Sequence, residues 1–383
     1  MTDPRLLWTP APAEHRARLA RLAARAREDG LDAVVVGPGA DMRFLLGRSQ
    51  GSHERFTGLV VPADGEPFLV VPQLERPGWT GSTAERVVPD MPTWQDGESA
   101  HCLVAARLGA GARIGVDDLL PSVHALGLGA TLGAAVTAGG PTIRALRMVK
   151  TPEELSALHG VGEAVDRVHA RIGEWLRPGR TEDEIGADIA AALVEEGHER
   201  ADFVIVASGP HGASPHHERS DRVVRAGEPV VVDIGGPAPS GYFSDSTRTY
   251  VCGEPVDPEF DRVWRTVRDA QRAGIDAARA GLPCSGVDAA ARRVVEAAGY
   301  GAFFITRTGH GIGLEVHEHP YLVRGDDLPL APGMTFSVEP GIYLPGRFGV
   351  RIEDIVAIGD DGSPEPCNRS PRHWRPAGDP GGP

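Results

Sequence analysis

The chain has 383 residues, a formal net charge of −14 and a hydrophobic fraction of 41%. That length allows two domains, and the negative balance argues against phosphate backbones and anionic membrane surfaces as partners. No apolar run is long enough to span a bilayer, and Met1 to Arg27 is basic and Ala-rich, without a signal-peptide core. In chain order, His15 to Asp29 reads as an amphipathic helix with Leu19, Leu22 and Ala23 on one stripe. Ala33 to Gly37 is a short buried strand, and Met42 to Leu46 is a helical turn before Gly47. Gly58–Pro62 and Pro67–Pro72, joined by an Ala-Asp-Gly-Glu turn, form a hairpin. Ala112 to Val116 is a further strand, so residues 1–145 read as an α/β domain.

The pattern changes near Arg147. Thr151 is an N-cap, Pro152 fits the first helical position and Glu154 completes a capping box, which predicts a helix to about Leu176. A second helix is expected from the cap Thr181 to about Glu196, and two more over Pro258–Ala280 and Val287–Ala298. Strands are expected at Phe203–Ala207, Pro229–Ile234, Ser246–Val251, Met334–Glu339 and Gly349–Ile358. Helix pairs alternating with antiparallel strands give an α+β layered domain over residues 146–370. Residues 371–383 read as a C-terminal tail, frayed over the Gly/Pro-rich Ala377–Pro383. Cys102, Cys252, Cys284 and Cys367 show no CxxC spacing, which suits free thiols in a reducing cytoplasm.

Five residues carry the chemistry. Asp233 follows three valines in a buried strand, where a free carboxylate is costly unless it is paired or holds a cation. Asp245 lies twelve residues on, after the loop Pro237–Gly241 that lets the chain double back. His310 sits between Gly309 and Gly311, where backbone can approach a metal or substrate closely. Glu339 closes a strand in Ser-Val-Glu-Pro-Gly, and Glu353 follows in Val-Arg-Ile-Glu-Asp. Strand alternation puts Arg351 on the face of Glu353, where it can orient site carboxylates or a substrate carboxylate. Four carboxylates cannot share one pocket as bare anions. Two divalent cations resolve the conflict, and one imidazole among oxygens suits Mn²⁺, Co²⁺ or Zn²⁺.

The segments Val-Asp-Ile-Gly, Ser-Asp-Ser-Thr-Arg-Thr, Gly-His-Gly-Ile-Gly-Leu-Glu-Val-His-Glu, Ser-Val-Glu-Pro-Gly-Ile-Tyr and Val-Arg-Ile-Glu-Asp resemble the pita-bread metallopeptidases. Within them the chain is most similar to the Xaa-Pro branch, aminopeptidase P and prolidase, over about residues 147–370. The first domain is similar to the creatinase/prolidase N-terminal domain. The resemblance implies a binuclear centre with Asp245 and Glu353 bridging, Asp233 on one metal, and His310 and Glu339 on the other; Mn²⁺ is the metal expected. It places His216, in Ser-Pro-His-His-Glu, and His317, in Leu-Glu-Val-His-Glu, on the substrate side, with His217 the alternative to His216. His319 is given no role, and Glu318 is read as a possible salt-bridge partner.

The implied reaction is hydrolysis of the bond between an N-terminal residue and proline in a di- or oligopeptide. A metal-bridging hydroxide attacks and Glu339 handles the proton. A cytoplasmic homodimer without nucleic-acid or membrane partners is expected. Whether a dipeptidase or an aminopeptidase is meant stays open, because no cap for a substrate carboxylate is assigned among Arg347, Arg351, Arg43, Arg48 and Arg55. Rival readings are creatinase, which does metal-free C–N hydrolysis and does not keep these carboxylates; methionine aminopeptidase, which lacks the large first domain; and a non-catalytic pita-bread binding protein, which loses ligands. All five ligand positions are intact here.

Overall fold

The computed structural model describes residues 3–51 and 54–376; the expected frayed end, Ala377 to Pro383, lies outside them. Two units are formed, Thr9–Arg147 and a larger one made of Met148 onward together with the first residues of the chain through Trp8.

The smaller unit contains α1 (Pro12–Glu28), β1 (Ala33–Val36), α2 (Ala40–Leu46), β2 (Gly58–Pro62), β3 (Phe68–Pro72), α3 (Thr83–Val87), β4 (Thr93–Trp94), α4 (Ala100–Leu108), β5 (Ile114–Val116), α5 (Ser122–Leu132), β6 (Val136–Ala138) and α6 (Gly140–Arg147). Its strands form one mixed sheet in the order β4-β3-β2-β1-β5-β6. The β2–β3 hairpin is antiparallel, while β5 runs parallel to β1. Leu19, Leu22 and Ala26 bury the inner stripe of α1; Ala23, expected there, is only half-buried. Helix α5 was not expected, since Gly127 and Gly129 oppose a helix. They are tolerated because the helix packs tightly: a Cβ on Gly127 would lie 2.4 Å from the His101 ring, and one on Gly129 3.1 Å from Val136.

The larger unit contains α7 (Pro152–Ala170), α8 (Glu182–Glu195), β7 (Phe203–Ser208), β8 (Pro229–Pro237), β9 (Phe243–Val251), α9 (Phe260–Ala277), α10 (Cys284–Ala297), β10 (Gly309–Gly311), β11 (Glu318–Leu322), β12 (Thr335–Val338), β13 (Gly341–Leu344), β14 (Phe348–Arg351), β15 (Asp354–Ile358) and β16 (Pro364–Pro366). Thr151 and Glu154 form the expected capping box, and Thr181 with Glu184 forms another. The four expected helices are present; α7 ends at Ala170, followed by a short 3₁₀ turn.

Three sheets result: β7-β8-β9, β13-β14 and β11-β10-β12-β15-β16. Two expectations need correction. The strand expected to end at Ile234 runs on, because β8 continues to Pro237. The strand expected over 349–358 is broken at Ile352-Glu353, with β14 pairing to β13 and β15 to β12. A strand shared between two sheets must bend, and the bend carries Glu353. Residues 371–376, expected as tail, are tied to this unit: Arg372 pairs with Asp354, and Val251 donates to the Trp374 carbonyl.

Two histidines of this unit are buried as neutral bases. His169 on α7 donates from Nε2 to the Ser246 carbonyl at 3.2 Å and accepts the Tyr250 hydroxyl at 3.0 Å. Burial first, then the Arg248 charge, pushes it down to about 3 from 6.5. Burial pushes His198 to about 4. The unfolded chain therefore binds protons that the folded chain refuses, so stability falls as pH drops below about 6.5 and the loss is complete near the folded values. Between pH 7 and 5 wild type is expected to lose about 2 kcal/mol more unfolding free energy in urea than His169→Gln. Equal losses in the two proteins would refute this.

Candidate active site

The β8–β9 hairpin lays out the first part of the site. Asp233 faces Thr247 across the ladder and Gly235 faces Asp245, so Asp233, Asp245 and Thr247 share one face of the pair. Glu353 arrives from the break between β14 and β15, and its Oε2 accepts the Thr247 hydroxyl at 2.7 Å. Arg351, at the end of β14, donates to Thr247 Oγ1 at 3.1 Å, to Asp233 Oδ2 at 2.6 Å and to the Tyr343 hydroxyl at 2.8 Å. The expected meeting of Arg351 and Glu353 is thus made through Thr247.

His310 and Glu339 come from the other sheet. Glycine flanks the histidine for lack of space: a Cβ on Gly309 would lie 1.9 Å from the Ser337 carbonyl oxygen. His310 Nδ1 faces the Gly311 carbonyl at 3.1 Å, which can only accept, so Nδ1 carries the proton. Nε2 then faces Glu339 Oε1, 3.1 Å away, and Asp245 Oδ2, 3.5 Å away. Ser337 donates to the same Glu339 oxygen at 3.0 Å. Ligand atoms within 4.8 Å of one another form the groups Asp233/Asp245/Glu353, Asp245/His310/His317 and His310/Glu339/Glu353.

This arrangement suits cations. Asp233 Oδ1 and Glu353 Oε1 are buried oxygens without a hydrogen-bond partner among the described residues. Burial, then the neighbouring carboxylates, drives Asp245 and Glu353 well above the usual carboxylate range. Burial also raises Glu339, but His310, Arg351 and Ser337 outweigh it and leave that group below its ordinary value. An imidazole nitrogen, two orphaned oxygens and four acids in one cavity are accommodated together by divalent cations.

His216 and His317 both line the pocket, with Phe203, Ile205, Pro215 and Val316 as its apolar wall. The His317 ring stands edge-on to His310, 4.1 Å between centroids, and desolvation, then His310 and Arg307, hold it down to about 4. His217 turns away to Glu182 at 3.0 Å. Glu318 pairs with the buried Lys150 at 2.5 Å. His319 lies against Tyr321. Arg347 is held outside by Asp257 and Glu259, and Arg351 is the only cation among the described lining residues. Thr247, Ser337 and Tyr343 were missed in the sequence. Period-two spacing from Asp245 signals Thr247, and from Glu339 signals Ser337; nothing local signals Tyr343.

A layered α+β unit that gathers four carboxylates and an imidazole in one pocket defines a metal-dependent hydrolase of pita-bread fold. The chain belongs to metallopeptidase family M24, matched over residues 156–360, and residues 18–149 match the creatinase/prolidase N-terminal domain. The probable dipeptidase PepE of Mycobacterium tuberculosis is 50% identical over 347 residues, 90% of this chain and 92% of that protein. A Xaa-Pro dipeptidase of Lactobacillus helveticus is 35% identical over 345 residues, 86% of this chain and 91% of that one. The crystal structure of dipeptidase PepE from Mycobacterium ulcerans superposes with a TM-score of 0.93 at 47% identity, covering 96% of this chain and 99% of the other. No helix among the described residues is long and apolar enough to cross a membrane.

Proposed function

We propose that the protein hydrolyses Xaa-Pro dipeptides, with Asp233, Asp245, His310, Glu339 and Glu353 holding two divalent cations, Mn²⁺ the foremost candidate. The observation that carries this is the pair of orphaned, buried carboxylate oxygens in one pocket with His310 Nε2 and Glu339. Divalent cations held there supply a more acidic water and charge for the developing oxyanion.

The chain's residues account for the rest. Arg351 fixes the Asp233 carboxylate through Oδ2 and leaves Oδ1 free to ligate. Glu339 is the most accessible of the four acids, its side chain 18% exposed against 5% for Asp245 and 12% for Asp233, with Glu353 only 1% exposed. It therefore takes the proton of the attacking water and delivers it to the leaving nitrogen. That nitrogen must gain a proton to leave as an amine when the C–N bond breaks. His216 and His317, at the pocket wall, hydrogen-bond the substrate carbonyl as its oxygen gains charge. Phe203, Ile205 and Val316 offer the apolar surface that a proline ring fills.

The dipeptide preference rests on the relatives named dipeptidases. The test is hydrolysis of Gly-Pro and Gly-Pro-Ala by metal-stripped protein reloaded with Mn²⁺. Gly-Pro is expected to be cleaved and the tripeptide spared. Cleavage of the tripeptide instead would make the protein an aminopeptidase, and silence on both with metal bound would overturn the Xaa-Pro reading.

A further inference from the structure

A second group of metal-ligating side chains converges on Glu182, the first residue of α8, whose side chain is fully buried. Its carboxylate lies within hydrogen-bond distance of Ser208 N at 2.8 Å, Ser208 Oγ at 2.6 Å and Ser220 Oγ at 2.8 Å. His211 Nδ1 lies 3.0 and 3.1 Å from its two oxygens, and His217 Nε2 lies 3.0 Å from Oε2. Five donor atoms thus surround a group with about four lone-pair sites. The Ser208 hydroxyl accepts from Arg222, which commits its own hydrogen to Glu182. The two serines therefore take three of these sites, and one of the two imidazoles is a donor in surplus.

The geometry is close to that of a bound ion. The rings of His211 and His217 lie 4.1 Å apart between centroids, and one ligand atom from each of the three residues falls within 4.8 Å of the others. Tetrahedral zinc with bonds of about 2.0–2.2 Å has ligand–ligand edges of about 3.3 Å, so small shifts of the imidazoles admit it. The His211 side chain is 35% exposed, which gives an entry path and room for a water ligand. Two imidazoles and one carboxylate form a borderline donor set, unlike the oxygen-rich catalytic cluster. Serine bonds that orient a ligating carboxylate are the outer shell such sites use.

We propose that Glu182, His211 and His217 form an additional cation site, selective for a borderline divalent metal such as Zn²⁺ and separate from the catalytic cluster. Its placement links it to the pocket. His211 and His217 bracket Pro215 and His216, which line the cavity, and the Pro215 carbonyl accepts from Arg351 at 3.3 Å. An ion here ties both ends of that segment to α8.

Two readouts on the full chain test this. Mn²⁺-loaded protein is equilibrated with Zn²⁺, desalted and analysed by mass spectrometry for metals. Wild type should retain one more zinc per chain than His211→Asn, whose amide keeps a donor to Glu182. Crystals of the unmodified protein soaked in Zn²⁺ should show an anomalous peak among the three side chains at the zinc edge. Equal zinc counts in the two proteins, or no peak at that position, would overturn the proposal and leave a hydrogen-bonded cluster. The crystal readout needs no substitution, so a variant that fails to fold does not obscure it. Neither readout uses peptidase activity, so failure on Gly-Pro would overturn the catalytic reading without touching this one.

Discussion

Asp245→Asn is expected to lower kcat/KM on Gly-Pro by about 10³-fold or more, a loss of about 4 kcal/mol of transition-state stabilisation. Asp245 belongs to two of the ligand groups, one with Asp233 and Glu353 and one with His310 and His317, so it serves both halves of the site. An amide oxygen keeps the shape but loses the charge, and retained metal should fall with activity. The metal-free proteins should behave in the opposite sense. Burial and the acids around Asp245 disfavour its ionised form, and the amide removes that conflict. Metal-free Asp245→Asn should therefore melt above metal-free wild type, while metal-saturated wild type melts above both. Glu339→Gln separates the roles. It should cost about 10²–10⁴-fold in kcat as the loss of a proton carrier, with metal content less affected than in Asp245→Asn. Activity within tenfold of wild type in Asp245→Asn, or a metal-free variant less stable than its parent, would refute this account of the cluster.

The site was far more legible than the scaffold that holds it. An acid after three valines, a histidine between two glycines and a glutamate before Pro-Gly each break a local rule, and such breaks mark chemistry. The first unit gave weaker signals. Its α5 carries Gly127 and Gly129, and packing against His101 and Val136 decides its form where propensity does not. The break at Ile352-Glu353 was invisible for another reason. An alternating run reads as one strand whichever sheet each half joins, and only tertiary pairing splits it. The same blindness hid Tyr343, which reaches Arg351 because β13 and β14 pair.

Arg248→Met is expected to lower the melting temperature of the larger unit by roughly 10 °C, a loss of about 3–5 kcal/mol. Arg248 belongs to the Ser-Thr-Arg-Thr run after Asp245 and is 1% exposed. Its five N–H donors are all used: Nε to the Pro371 carbonyl, Nη1 to the Thr247 and Glu353 carbonyls, and Nη2 to Asp354 Oδ1 and the Ser370 carbonyl. Methionine fills similar volume but leaves four carbonyls without these donors and weakens the partnering of a buried carboxylate. Arg372 and Gln271 still bond Asp354 Oδ2, which keeps the loss below that of an isolated buried charge. Lysine restores the charge but only one donor nitrogen, so Arg248→Lys should recover a minority of the stability. The same guanidinium clamps the backbone of Glu353 at the point where β14 gives way to β15. Metal affinity should therefore fall about 10–100-fold in Arg248→Met, although Arg248 touches none of the proposed ligand oxygens. Calorimetry of the metal-free protein and metal titration of the same sample measure the two effects separately. A melting temperature within about 2 °C of wild type would show that the five bonds are replaceable by water and that the bend at Glu353 holds without them.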